Sequence, residues 1–99
     1  MKLPYQDAQL LAFHIKGSDL KLEIRLSAQS GHGAAPVTLT YFDVKNLEDV
    51  KAKLAALKPL NDGRLDDLSG ILPTADHGFL LGLSNVGDVI VYARGALET

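Results

Sequence analysis

The chain predicts an α+β fold: an antiparallel sheet of five to six strands and one amphipathic helix, in a single domain over residues 1–99. Two stretches of hairpin-like alternation, near residues 10–26 and 79–94, argue for the sheet. A change of hydrophobic period near residues 45–60 argues for the helix.

The first hairpin lies in "LLAFHIKGSDLKLEIRL", which alternates, breaks at Lys16-Gly17-Ser18-Asp19 and alternates again. Gly17 at the first central position of a two-residue turn suits type II′, because glycine reaches positive φ without a Cβ clash. That turn sets Ile15 opposite Leu20, Phe13 opposite Leu22 and Leu11 opposite Ile24. All six are apolar, and a slip of one residue destroys the match. Carried backwards, the same register sets Asp7 opposite Ala28.

After the loop "AQSGHGAAP", the strand "VTLTYFDV" continues the face by pairing Leu26 with Val37, Ile24 with Leu39 and Leu22 with Tyr41. Lys21, Glu23 and Arg25 then share the outer face with Thr38 and Thr40, as in a sheet that is wet on one side. A three-strand meander is expected.

In "KNLEDVKAKLAALKPL", Leu47, Val50, Leu54 and Leu57 recur at helical spacing. Asn46 suits the N-cap, Glu48 and Asp49 suit the first turn, and Pro59 ends the pattern. The stripe is expected to pack against a sheet face. Next, Asn61-Asp62-Gly63 marks a turn, and "LSGIL" is a short strand stopped by Pro73. A closing hairpin in "FLLGLSNVGDVIVYAR" turns around Asn85-Val86-Gly87-Asp88 and pairs Leu83 with Ile90 and Leu81 with Tyr92. Leu80, Val89 and Val91 then fall on the opposite face, so both faces of these strands are expected to be covered.

Composition narrows the classes of function. A chain of 99 residues, 46% hydrophobic and 22% charged, is globular, with a core too modest for a deep enclosed active site. The net charge is −2 and the ten Lys and Arg are scattered, which argues against nucleic acid as a partner. Without cysteine there is no disulfide, thiolate nucleophile or Cys-based zinc site. The start "MKLPYQDAQL" is interrupted by Pro4, Gln6 and Asp7, unlike a signal peptide, and no 18-residue apolar run offers a membrane span. A cytoplasmic protein that does not engage a membrane is expected.

Each group with chemical potential also has a plainer reading. His14 falls on the outer face opposite Lys21, a poor setting for a metal. His32 stands between Gly31 and Gly33, which the loop needs for its own turn. "TADHGF" sets Asp76 beside His77, but neighbours on an extended chain point to opposite sides, and no nucleophile elbow accompanies them. No His-x-His, HExxH, calcium-loop or phosphate-loop spacing is present, so neither a metal nor another cofactor is expected. Asp62, Asp66 and Asp67 form an acidic loop after the helix, solvated or available as a contact patch. Asp7 is expected to accept backbone hydrogen bonds where the first strand begins.

The run Tyr5-Gln6-Asp7-Ala8 followed by Leu10-Leu11, with Tyr41-Phe42-Asp43-Val44, Leu47 and the hairpin "LLGLSNVGDVIVYA", resembles a group of small bacterial proteins, some of immunity type. Their N-terminal motif is aromatic-His-Asp-Ala-x-Leu. Gln6 stands in place of that histidine, so no role tied to it carries over. The resemblance implies an α+β fold of antiparallel strands with one helix, and binding rather than catalysis.

The expected function is therefore that of a non-enzymatic interaction domain, an immunity-like inhibitor of another protein or a self-associating chain. Its expected contacts are Asp62, Asp66, Asp67, His32, Lys21, Glu23 and Arg25, together with any unpaired strand edge. Two alternatives stand beside it. One is a ligand-binding sheet with a cavity beneath the helix. The other is a hydrolase, acid–base or metal-dependent, that needs His77 to converge with Asp76 or Asp7.

Overall fold

Gly17 has a φ of 62° while Ser18 stays out of the positive region, as the type II′ turn requires. It joins β1 (Ala8–Lys16) to β2 (Asp19–Arg25) in a computed structural model that describes residues 5–27 and 36–99. Ile15 faces Leu20 and Phe13 faces Leu22, as the alternation requires. A bulge then intervenes, and Leu10 rather than Leu11 faces Ile24. Consecutive leucines fit the apolar pattern equally well, so only the folded ladder selects between them. The expected pairing of Asp7 with Ala28, and His32 with its loop, lie outside the described residues.

The third strand, β3 (Pro36–Phe42), completes the meander in a different register from that expected. Leu20 pairs with Tyr41, Leu22 with Leu39 and Ile24 with Val37, a slip of two residues. A two-residue slip keeps every side chain on its face, so hydrophobic pattern alone does not detect it.

Beyond the helix α1 (Leu47–Leu54), the chain adds β4 (Asp66–Pro73), β5 (Phe79–Leu83), β6 (Gly87–Val91) and β7 (Gly95–Glu98). The described sheet therefore has seven antiparallel strands, not five to six, in the order β6-β5-β4-β1-β2-β3-β7. "GALE" carries no strand pattern of its own. It pairs because β3 presents a free edge to which Thr40 and Phe42 contribute opposite Leu97 and Gly95.

The closing hairpin also differs from expectation. Leu83 pairs with Gly87, Leu81 with Val89 and Phe79 with Val91, around the three-residue loop 84–86, which Gly87 follows at φ 78°. Val89 and Val91 consequently face the core, while Leu80 and Ile90 face outward. Strand β6 is one edge of the sheet and β5 lies next to it.

The sheet is rolled rather than flat. Strands β6 and β7 lie at opposite ends of the order, yet only Tyr92, Ala93 and Arg94 connect them. Such a link spans at most roughly 14 Å, whereas the edges of a flat seven-stranded sheet stand about 29 Å apart. The rings of Tyr41 on β3 and Phe79 on β5 confirm the curl, with centroids 5.1 Å apart. Inside the roll sit Leu10, Leu22, Ile24, Leu39, Leu81 and Val91, all buried.

Helix α1 closes the open side of β6. Asn46 occupies the N-cap position but makes no side-chain cap bond. Its amide instead donates to the Ile90 carbonyl at 2.7 Å and accepts from the Tyr92 N–H at 3.0 Å. Lys53 donates to the Asp88 carbonyl at 3.1 Å, and the Lys45 N–H to the Tyr92 carbonyl at 2.7 Å. These groups substitute for a neighbouring strand, so this edge is not open to strand addition. Val50 and Leu54 are buried as the stripe predicts, but the helix ends at Leu54 and Leu57 lies beyond it.

Candidate functional site

Of the described residues expected to make contacts, Asp67 lies in one cross-strand row with Gln9 and Arg25, whereas Asp66 points to the other side. Asp66 is fully buried, contrary to its reading as part of a solvated loop. Its carboxylate accepts from the Asp67 N–H at 2.8 Å, and from the Asn85 N–H and side-chain amide, each at 3.0 Å. Asp62 and Asp67 both bond Arg64. Desolvation, which by itself raises the Asp62 carboxyl, is outweighed by the hydrogen bonds from the Arg64 N–H and guanidinium together with the guanidinium charge, which hold it below its usual range. Lys21, Glu23 and Arg25 share the outer face of β2, with Lys21 beside His14 and Thr40. His14 Nε2 lies 3.3 Å from Glu23 Oε2.

Asp7 does not act as the expected acceptor: its carboxylate makes no hydrogen bond among the described residues. Its contribution is conformational, since it turns the chain at φ 59° while the Ala8 N–H bonds the Tyr5 carbonyl at 3.2 Å. His77, at φ 67°, turns the β4–β5 connection. Asp76 bonds the Thr74 and Tyr92 hydroxyls instead of His77. Those two hydroxyls, Thr74 first, hold its carboxyl below the ordinary value.

Asp7, His14 and His77 do not converge. Ala8 pairs with Leu68, and β4 then runs roughly 16 Å to its turn at His77. His14 lies about 20 Å from Ala8 along β1, in the opposite direction. Among the described residues, no three metal-capable side chains come together.

The outer face of β4, β5 and β6 carries the candidate site. Leu72 pairs with Leu80 and Leu80 with Ile90, which makes a ladder of three aliphatic side chains across the strands. Leu72 is 62% exposed and Ile90 36%. The next row along is Gly70, Gly82 and Asp88, a shallow trough that is open over Gly70 and covered over Gly82 by the Ser69 hydroxyl. A depression of about 450 Å³ occupies that trough, walled by Tyr5, Gln6 and Ser69. Past Leu80 and Asp88 lies a second one of about 490 Å³, bordered by Asp49 and Lys53 of α1.

At the other flank, Gly78 lets the Tyr92 ring and Ile90 close over the backbone. A Cβ on Gly78 would stand 2.9 Å from Tyr92 Cε1 and 3.1 Å from Ile90 Cγ2. The expected hairpin register, which pairs Ile90 with Leu83 rather than Leu80, hid this surface by setting Ile90 on the face of the buried Leu81 and Leu83. The available signal was the expectation that apolar residues on both faces need cover.

The depression beneath the helix is no enclosed ligand cavity. It opens to solvent, and Asp49, Lys53 and Asp88 line it beside Val50 and Val89. No family model matches the chain, and no curated protein or solved structure does so either.

Proposed function

We propose that this chain is a small non-enzymatic interaction domain that binds a protein partner through the outer face of β4, β5 and β6, as an immunity-like inhibitor does. The uncovered ladder of Leu72, Leu80 and Ile90 carries this reading. Scattered exposed aliphatics are ordinary, but three aligned across neighbouring strands beside a glycine trough form a contiguous apolar patch. Such patches gain free energy by being covered.

Affinity purification from native lysate tests it, with wild type and a Leu72→Ser, Ile90→Ser double variant as baits. One protein should be retained by wild type and lost by the variant, with equal thermal unfolding of the two baits. Equal recovery by both baits, or none by either, rejects the reading.

A further inference from the structure

We infer that the partner covers this face with an amphipathic helix whose aliphatic stripe is flanked by Lys or Arg; the inference rests on the interaction reading above. A sheet face, unlike a sheet edge, offers no backbone groups, because those of Leu72, Leu80 and Ile90 lie within or along the ladders. Whatever covers it must satisfy its own main chain as it loses water, and a helix does so within one segment.

The shape agrees. Leu72 to Ile90 spans two strand spacings, about 10 Å, close to the roughly 10–12 Å width of a helix with its side chains. Beside that ladder, Gly70 has open space above it and leaves room for a partner side chain. Ser69 bonds back to the Gly82 carbonyl at 3.1 Å and covers Gly82, so the open space lies over Gly70.

Charge selects the flanks of the helix. Asp88 borders both depressions, Asp49 borders the second, and Asp76 lies at the Tyr92 end of the ladder. Among the described residues lining the two depressions, Lys53 is the cationic one, and its ammonium bonds the Asp88 carbonyl. An apolar strip rimmed by carboxylates favours a partner with cationic flanks and repels one with acidic flanks.

The test is an amide-shift titration of the labelled full chain with two synthetic helices of equal length. They share one leucine stripe, flanked by Lys in the first and by Glu in the second. The Lys helix should shift the amides of Leu72, Leu80, Gly82 and Ile90, and bind at least about tenfold more tightly than the Glu helix. Asp49→Asn with Asp88→Asn should weaken it several-fold, as should raised salt.

Equal or tighter binding of the Glu helix overturns the charge assignment but leaves the interaction reading intact. No shift from either helix overturns the helical partner, again without touching the purification result. Shifts confined to β1–β3 overturn the location, and with it the reading on which this inference rests. Capture by phosphatidylglycerol vesicles through the same residues overturns it in favour of a lipid surface.

Discussion

Asp66 sets its carboxyl group in the interior, where among the described residues no ion pair holds it. Three N–H donors stand in for water, two of them from Asn85 in the β5–β6 loop. A carboxylate so held ties that loop to the start of β4, and the Ser84 N–H adds a bond to the Asp67 carbonyl at 3.1 Å. Asp66→Ala leaves those donors unpaired in a buried site and is expected to cost roughly 2–4 kcal/mol. Denaturant unfolding measures it. The same change at neighbouring Asp67, half-exposed against Arg64, should cost well under half as much. Nothing in "RLDDLSG" separates the two aspartates, because Asp66 is buried by a partner nineteen positions away.

Among the elements, α1 and β6 depend on each other. An eight-residue helix is too short to persist alone, and an edge strand left bare invites wrong pairing. Asn46 serves both, its amide making the two bonds a neighbouring strand would make. Asn46→Ala should destabilise the fold by about 1–2 kcal/mol and speed amide exchange at Tyr92 in particular. Unchanged exchange there would show that the clip is not what protects this edge. The apolar stripe of α1 was readable from its spacing, and Val50 and Leu54 are buried accordingly. Its role as an edge cover was not, because Asn46 is equally suited to a cap and to this clip.

Across the whole molecule, the roll of the sheet brings distant segments into contact. Tyr5, just before β1, is buried and donates its hydroxyl to Glu98 of β7 at 2.5 Å. Burial first, and the Glu98 carboxylate second, raise the Tyr5 phenol above its ordinary value of 10.0. Burial raises Tyr41 as well. Both phenols stay neutral in the folded state, so their contribution is complete below pH 10.0 and is lost as pH rises through the folded values. Stability should therefore fall with pH above about 10, with two of the three tyrosines ionising only as the chain unfolds. Phenolate absorbance followed beside circular dichroism checks this, and Tyr5→Phe should flatten the alkaline slope. Ionisation of all three ahead of unfolding would contradict it.

By itself the sequence determined the α+β class, the Gly17-Ser18 turn, the near half of the first hairpin and the buried stripe of the helix. These depend on local period and turn chemistry, which neighbouring residues encode. Tertiary structure decided the rest. Leu10 or Leu11 opposite Ile24, the two-residue slip of β3, and Val89 rather than Ile90 in the core each satisfy the same alternation, so only packed ladders choose among them. Strand β7 and the burial of Asp66 come from partners remote in the chain. The aliphatic ladder that forms the candidate site comes from both causes. Its residues lie on three strands, and the registers of β4, β5 and β6 align them only once the sheet has formed.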